Sequence, residues 1–78
     1  MTDLFLKEKS KKEQLLDYMR QMRWTKTSAI IKWGLDNFHT RSERDARDMA
    51  QEGKIKRMDK DEKVFRFGNI KEDVWIAI

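Results

Sequence analysis

Three side chains able to read base edges fall on one side of a helical wheel: Arg41, Arg44 and Gln51. A guanidinium donates in bidentate fashion to guanine, and a carboxamide pairs in the same way with adenine. Asp45 or Asp48 on the same segment can accept from cytosine. Lys54, Lys56, Arg57, Lys60 and Lys63 follow, and positive charge within reach is all that a phosphate contact needs. A second account of the same residues is structural. Arg41–Asp45, Glu43–Arg47 and Arg44–Asp48 are i, i+4 pairs that each support a helix by about 0.2–0.5 kcal/mol. Basic residues on a strand also keep an exposed edge from pairing with another chain.

Other chemistry finds little to build on. His39 is the only histidine and there is no cysteine, so a metal site has no second soft ligand. A surface or capping role suits His39 better. The carboxylates are scattered, with no matching nucleophile, and three glycines leave no glycine-rich phosphate cradle. We therefore expect no enzyme activity, no cofactor and no small-molecule substrate. The formal net charge of +4 suits a polyanion partner, and the excess lies on either side of the central segment rather than on it. No apolar run is long enough for a membrane span or signal peptide, and Leu4-Phe5-Leu6 is too short for either. The expectation is a cytoplasmic protein with no membrane partner.

These residues need elements to hold them. The central segment reads as a helix capped by Thr40 and Glu43 at capping-box spacing, with Ala46, Met49 and Ala50 inward and Gly53 as its stop. Ser10 and Glu13 repeat the capping-box spacing, and Leu15, Tyr18, Met19 and Met22 follow at amphipathic spacing, so a first helix starts at Lys11. Arg23-Trp24-Thr25 is a connector with room for a short strand. A second helix has Thr27 or Ser28 near its start and stops at Gly34, with Leu35 folding back as in a Schellman motif. Phe38 is expected to pack beneath the third helix. After Gly53 the period changes to 2, and Ile55–Arg57 and Val64–Phe67 read as strands joined by a polar tip at 59–62. Two segments stay open. Asp3-Leu4-Phe5-Leu6 is an edge strand or an apolar patch, and Val74-Trp75-Ile76-Ala77-Ile78 either completes the core or mediates self-association.

The order of helix, connector, helix, turn, capped helix, glycine and hairpin resembles the winged helix-turn-helix family. Ala46, Met49, Gly53 and Ile55, followed by Lys56-Arg57, match the family's third-helix exit, and Trp33-Gly34-Leu35-Asp36-Asn37 resembles its second-helix exit. The likeness covers roughly residues 10–68, leaving 1–9 and 69–78 as flanks of a single domain spanning 1–78. The chain's brevity resembles small regulators of phages and mobile bacterial elements.

The resemblance implies an α+β fold: a three-helix helix-turn-helix core followed by a β-hairpin wing. It also implies double-stranded DNA as partner, with the third helix in the major groove and the wing on the backbone. The contact set would be Thr27, Ser28, His39, Thr40, Arg41, Arg44, Arg47, Gln51, Lys54, Lys56, Arg57, Lys60 and Lys63. A homodimer fits such a regulator. The alternative within the family is a protein-interaction module without DNA affinity, marked by an exposed apolar patch such as Leu4, Phe5, Trp75 and Ile78.

Overall fold

A computed structural model describes residues 9–78. The apolar Leu4-Phe5-Leu6 segment, and its expected strand or patch, lie outside the described residues. Helix α1 (Lys11–Met22) starts where the spacing predicts. The Ser10 hydroxyl accepts from the Glu13 N–H at 3.2 Å, and the Glu13 carboxylate accepts from the Ser10 N–H at 3.1 Å. Leu15, Leu16 and Met19 are buried and Tyr18 is half-buried. Met22, expected on that stripe, is 50% exposed, because the helix ends there and the chain turns away.

Strand β1 (Trp24–Lys26) leads directly into α2 (Thr27–Asp36). Gly34 does not stop α2. It lies inside the helix, buried where α3 crosses, and the chain turns only after Asp36, through Asn37 and Phe38 (φ 56°). Phe38 is 95% exposed rather than packed beneath α3.

Helix α3 (Ser42–Gln51) begins one residue later than a Thr40 cap requires. The expected Thr40–Glu43 capping box is absent: Arg41 is the N-cap without a side-chain bond, and Thr40 is exposed. Tertiary packing wins here, because the Ser42 hydroxyl turns inward and donates to the Ile30 carbonyl at 3.0 Å. The helix ends as expected at Gly53 (φ 80°). Gly53 N–H donates to Ala50 O at 3.2 Å and Lys54 N–H to Met49 O at 3.0 Å, the paired bonds of a Schellman motif.

Strand β2 (Ile55–Arg57) follows, but the next element is a helix, α4 (Lys60–Phe67). The expected strand over 64–67 is therefore corrected, as is the polar hairpin tip at 59–62. Asp61 and Glu62 in the first turn and Arg66 in the last complement the helix dipole. Glu62 and Arg66 pair at 2.9 Å, one turn apart, and Phe67 docks on Trp24.

The strand that pairs with β2 is β3 (Val74–Ala77). It is the middle strand of a three-stranded antiparallel sheet with order β1-β3-β2, and Thr25, Trp75 and Arg57 form one row across it. The C-terminal segment thus enters the core, with Val74 and Trp75 both buried. The core joins Leu15, Leu16 and Met19 of α1, Ile30 of α2, Ala46 and Met49 of α3, Ile55 and Trp75. The fold class is α+β, with four helices and one sheet among the described residues. None of the described helices is long and apolar enough to cross a membrane.

Candidate nucleic-acid interface

The inner face of α3 is small: Ala46 and Met49 are buried, so the helix lies close to its neighbours. Its outer residues are then sorted by flank. On the flank toward α1 and α2, Asp45 and Glu52 find partners. Asp45 meets His39 Nε2 at 2.5 Å, and Glu52 meets Lys12 at 2.7 Å and Lys54 at 3.3 Å. The hydrogen bond from Lys12 holds the Glu52 carboxyl below its ordinary value, and the bond to Glu52 raises Lys12. Asp48 and Asp45 add smaller contributions to the field that raises Lys12.

The opposite flank faces β2. Between them lies a cleft of about 420 Å³, lined by Arg47, Gln51, Lys56 and Arg57, with Ala50, Ile55 and Trp75 beneath. Its lining includes three cations and one carboxamide and no carboxylate. Arg47 is steadied by Glu43 at 3.0 Å, the only one of the three expected i, i+4 pairs that forms among the described residues. Arg57 lies 5.6 Å over the Trp75 ring and 3.5 Å from Asp73. The nearby ring and carboxylate restrain the guanidinium without covering it, and it remains exposed. Arg41 and Arg44 are exposed and have no ion pair among the described residues.

Arg57 also borders a second hollow, of about 450 Å³, beside α4, where Lys60 and Lys63 stand near Asp59 and Asp73. Lys60 is exposed, whereas Lys63 donates to the Glu72 carbonyl at 3.1 Å. A track of cations thus runs from Arg47 through Lys56 and Arg57 to Lys60.

The structure does not bring every expected contact residue to this track. The Thr27 hydroxyl is held inside the fold, donating to Asp73 O at 3.0 Å and accepting from Trp75 Nε1 at 3.1 Å. The Ser28 N–H donates to Glu72 Oε1 at 2.7 Å, so a carboxylate already occupies the start of α2. His39 is bound to Asp45, with its ring edge-on to Trp33, and anchors the turn instead of facing solvent. Lys54 is drawn to Glu52. Thr27, Ser28 and His39 serve the fold because each meets a partner far from it in sequence or across a turn, whereas Lys54 stays exposed with its neighbour Glu52. What the sequence reading missed is the cleft floor, since Trp75 reaches it only through the central position of β3.

No protein-family model, curated protein or solved structure matches the chain.

Proposed function

We propose that the chain is a DNA-binding domain of winged-helix type, acting as a small regulator, which grips one strand of duplex DNA in the cleft between α3 and β2. The observation that carries this reading is the lining of that cleft. Arg47, Lys56, Arg57 and Gln51 line it with no carboxylate among the lining residues, while Asp45 of α3 and Glu52, just past its end, are tied down on the other flank. Those two acids are held away from the cleft, while Glu43 and Asp73 pair with Arg47 and Arg57 and offset part of the cleft's charge without lining it.

The order α1, β1, α2, α3, β2, β3 and the sheet order β1-β3-β2 also support the winged-helix reading, with α4 in the place of a wing tip. In this arrangement Arg41 and Arg44 enter the major groove with Gln51, and Arg47, Lys56, Arg57 and Lys60 meet phosphates.

The test is a titration with random duplex DNA over a range of salt. If ~4 phosphates are neutralised, log K falls against log salt with a slope of about −3.6. Submillimolar protein that leaves duplex unbound at ~50 mM salt would refute the proposal, since non-specific binding alone should appear there. A second reading is favoured by one feature. Ile31, Leu35 and Phe38 form an exposed apolar ridge along α2 and the following turn, which suits a protein partner or a second copy. The patch expected around Trp75 is not available for that role, because Trp75 is buried.

A further inference from the structure

The sheet carries a second set of cations on the face turned away from the cleft. Residues alternate between faces along a strand. Thr25, Trp75 and Arg57 make one row, with Trp75 under the cleft; Trp24, Ile76 and Lys56 make the next, facing the other way. Lys56 stands on the edge strand and reaches the cleft's rim, but Trp24 is two strands away.

Around Trp24 the cations rest on rings. The Arg66 guanidinium lies 4.4 Å and that of Arg23 5.0 Å from the Trp24 centroid. Phe67 meets Trp24 edge-on at 6.2 Å, and the Lys26 ammonium lies 5.7 Å from the Phe67 centroid. Two carboxylates bear on the group: Glu62, paired with Arg66, and Glu72, which feels Lys26 but is engaged by Ser28. Arg23 and Lys26 have no ion pair among the described residues.

The backbone at Arg23 adds an independent observation. Its φ of 69° and ψ of −54° fall in the strained left-handed γ-turn region, which glycine enters without a Cβ penalty. The cap bond made there, from Arg23 N–H to Met19 O at 2.9 Å, needs only backbone. An arginine at this position is explained by its side chain, not by the turn. With its carbon over an indole ring, a guanidinium still has N–H donors for an oxyanion, although in Arg66 the Nε–H is already given to Glu62.

We infer that Arg23, Lys26 and Arg66 form a second phosphodiester-binding surface, so that one molecule holds two duplex segments, one in the α3–β2 cleft and one across Trp24. The inference rests on the DNA reading above, and its test separates the two. A bead-bound duplex is loaded with protein and offered a second, labelled duplex. Wild type should capture the second duplex. The variant Arg23→Gly with Lys26→Gln should bind the first duplex within about twofold of wild type yet capture about tenfold less of the second. Its capture should also lose about 1.8 from the log–log salt slope, the share of two phosphate contacts.

Arg23→Gly alone should melt no lower than wild type, because it relieves the turn. Should the double variant fold poorly, Lys26→Gln alone leaves the turn intact and should give intermediate capture. Wild type that binds one duplex but captures no second overturns the inference and leaves the DNA reading standing. Capture undiminished in the variants also overturns it, since a dimer bridging through two clefts would behave that way. Polyglutamate displacing the labelled duplex at lower charge concentration than free duplex would assign the surface to an acidic protein and likewise overturn it. Wild type that binds no duplex at all removes both readings together.

Discussion

Replacing Gly34 by Ala should destabilise the protein even though Ala is the better helix former by about 1 kcal/mol. Gly34 sits inside α2 at negative φ, so the backbone itself would accept a side chain. Space would not. A Cβ built there meets Ser42 Oγ at 2.3 Å and His39 O at 2.4 Å, where ordinary contact begins at 3.4 Å. Neither neighbour can step aside. Ser42 is 2% exposed and its hydroxyl is committed to Ile30 O, and the His39 N–H donates to Gly34 O at 2.7 Å. Helices α2 and α3 must separate by roughly 1 Å, an overpacking cost of about 3 kcal/mol at the upper end of the usual range.

Less the propensity gain, the net loss is about 2 kcal/mol, or a melting temperature lower by roughly 8–16 °C for a chain of this size. Thermal melts followed by circular dichroism measure it. Removing the Ser42 side chain as well should not restore stability, because the His39 carbonyl remains. Gly34→Asn distinguishes packing from a helix stop: a stop at positive φ tolerates Asn, whereas the crossing should reject it more strongly than Ala. Gly34→Ala melting at or above wild type would refute the crossing geometry.

Thr25→Val should stabilise the fold by about 1 kcal/mol in a denaturant titration, because the Thr25 hydroxyl is buried without a hydrogen-bond partner among the described residues; a loss would mean that the hydroxyl is satisfied. Deleting residues 70–78 removes the central strand with Val74 and Trp75, and should abolish cooperative unfolding, since loss of a buried Trp alone costs about 3–5 kcal/mol. A folded truncate by circular dichroism would contradict the sheet order. The Ser28 backbone N–H, and then its hydroxyl, hold the Glu72 carboxyl below its ordinary 4.5. A lowered carboxyl contributes stability that is fully present above pH 4.5 and is lost as pH falls through the depressed value. Acid titration of Glu72→Gln should therefore lack that part of wild type's loss below pH 4.5, and identical acid limbs would remove Glu72 from the account.

Local signals in the sequence located much of this fold. The Ser10–Glu13 box, the Leu15 and Met19 stripe, the inner face of α3 and the Gly53 stop each depend on residues within a turn or two of one another, and each forms. Errors arise where a distant partner decides. Gly34 looks like a stop until α3 crosses it, and Thr40 looks like a cap until Ser42 turns toward Ile30. Val64-Phe65-Arg66-Phe67 alternates as a strand would until Phe67 meets Trp24, far back in the chain; the Glu62–Arg66 pair, one turn apart, is the local sign of a helix. The exposed arginines of α3 were legible from its wheel. The cleft beside them was not, because its floor requires Trp75 to pair with Arg57 on one side and Thr25 on the other. Likewise, Thr27 and Ser28 lose their freedom only when residues 72–73 return to the start of α2.

The location of bound DNA is the central claim, and amide chemical-shift mapping during titration with a short random duplex tests it most directly. Binding in the cleft predicts that the largest shifts fall on Arg44, Arg47, Gln51, Lys56 and Arg57, with the Trp75 indole N–H moving as the cleft above it fills. Residues of the buried α1 stripe, Leu15 and Met19, should stay in place. Saturable shifts confined to Ile31, Leu35 and Phe38, or none on α3 and β2 at any salt, would contradict the account.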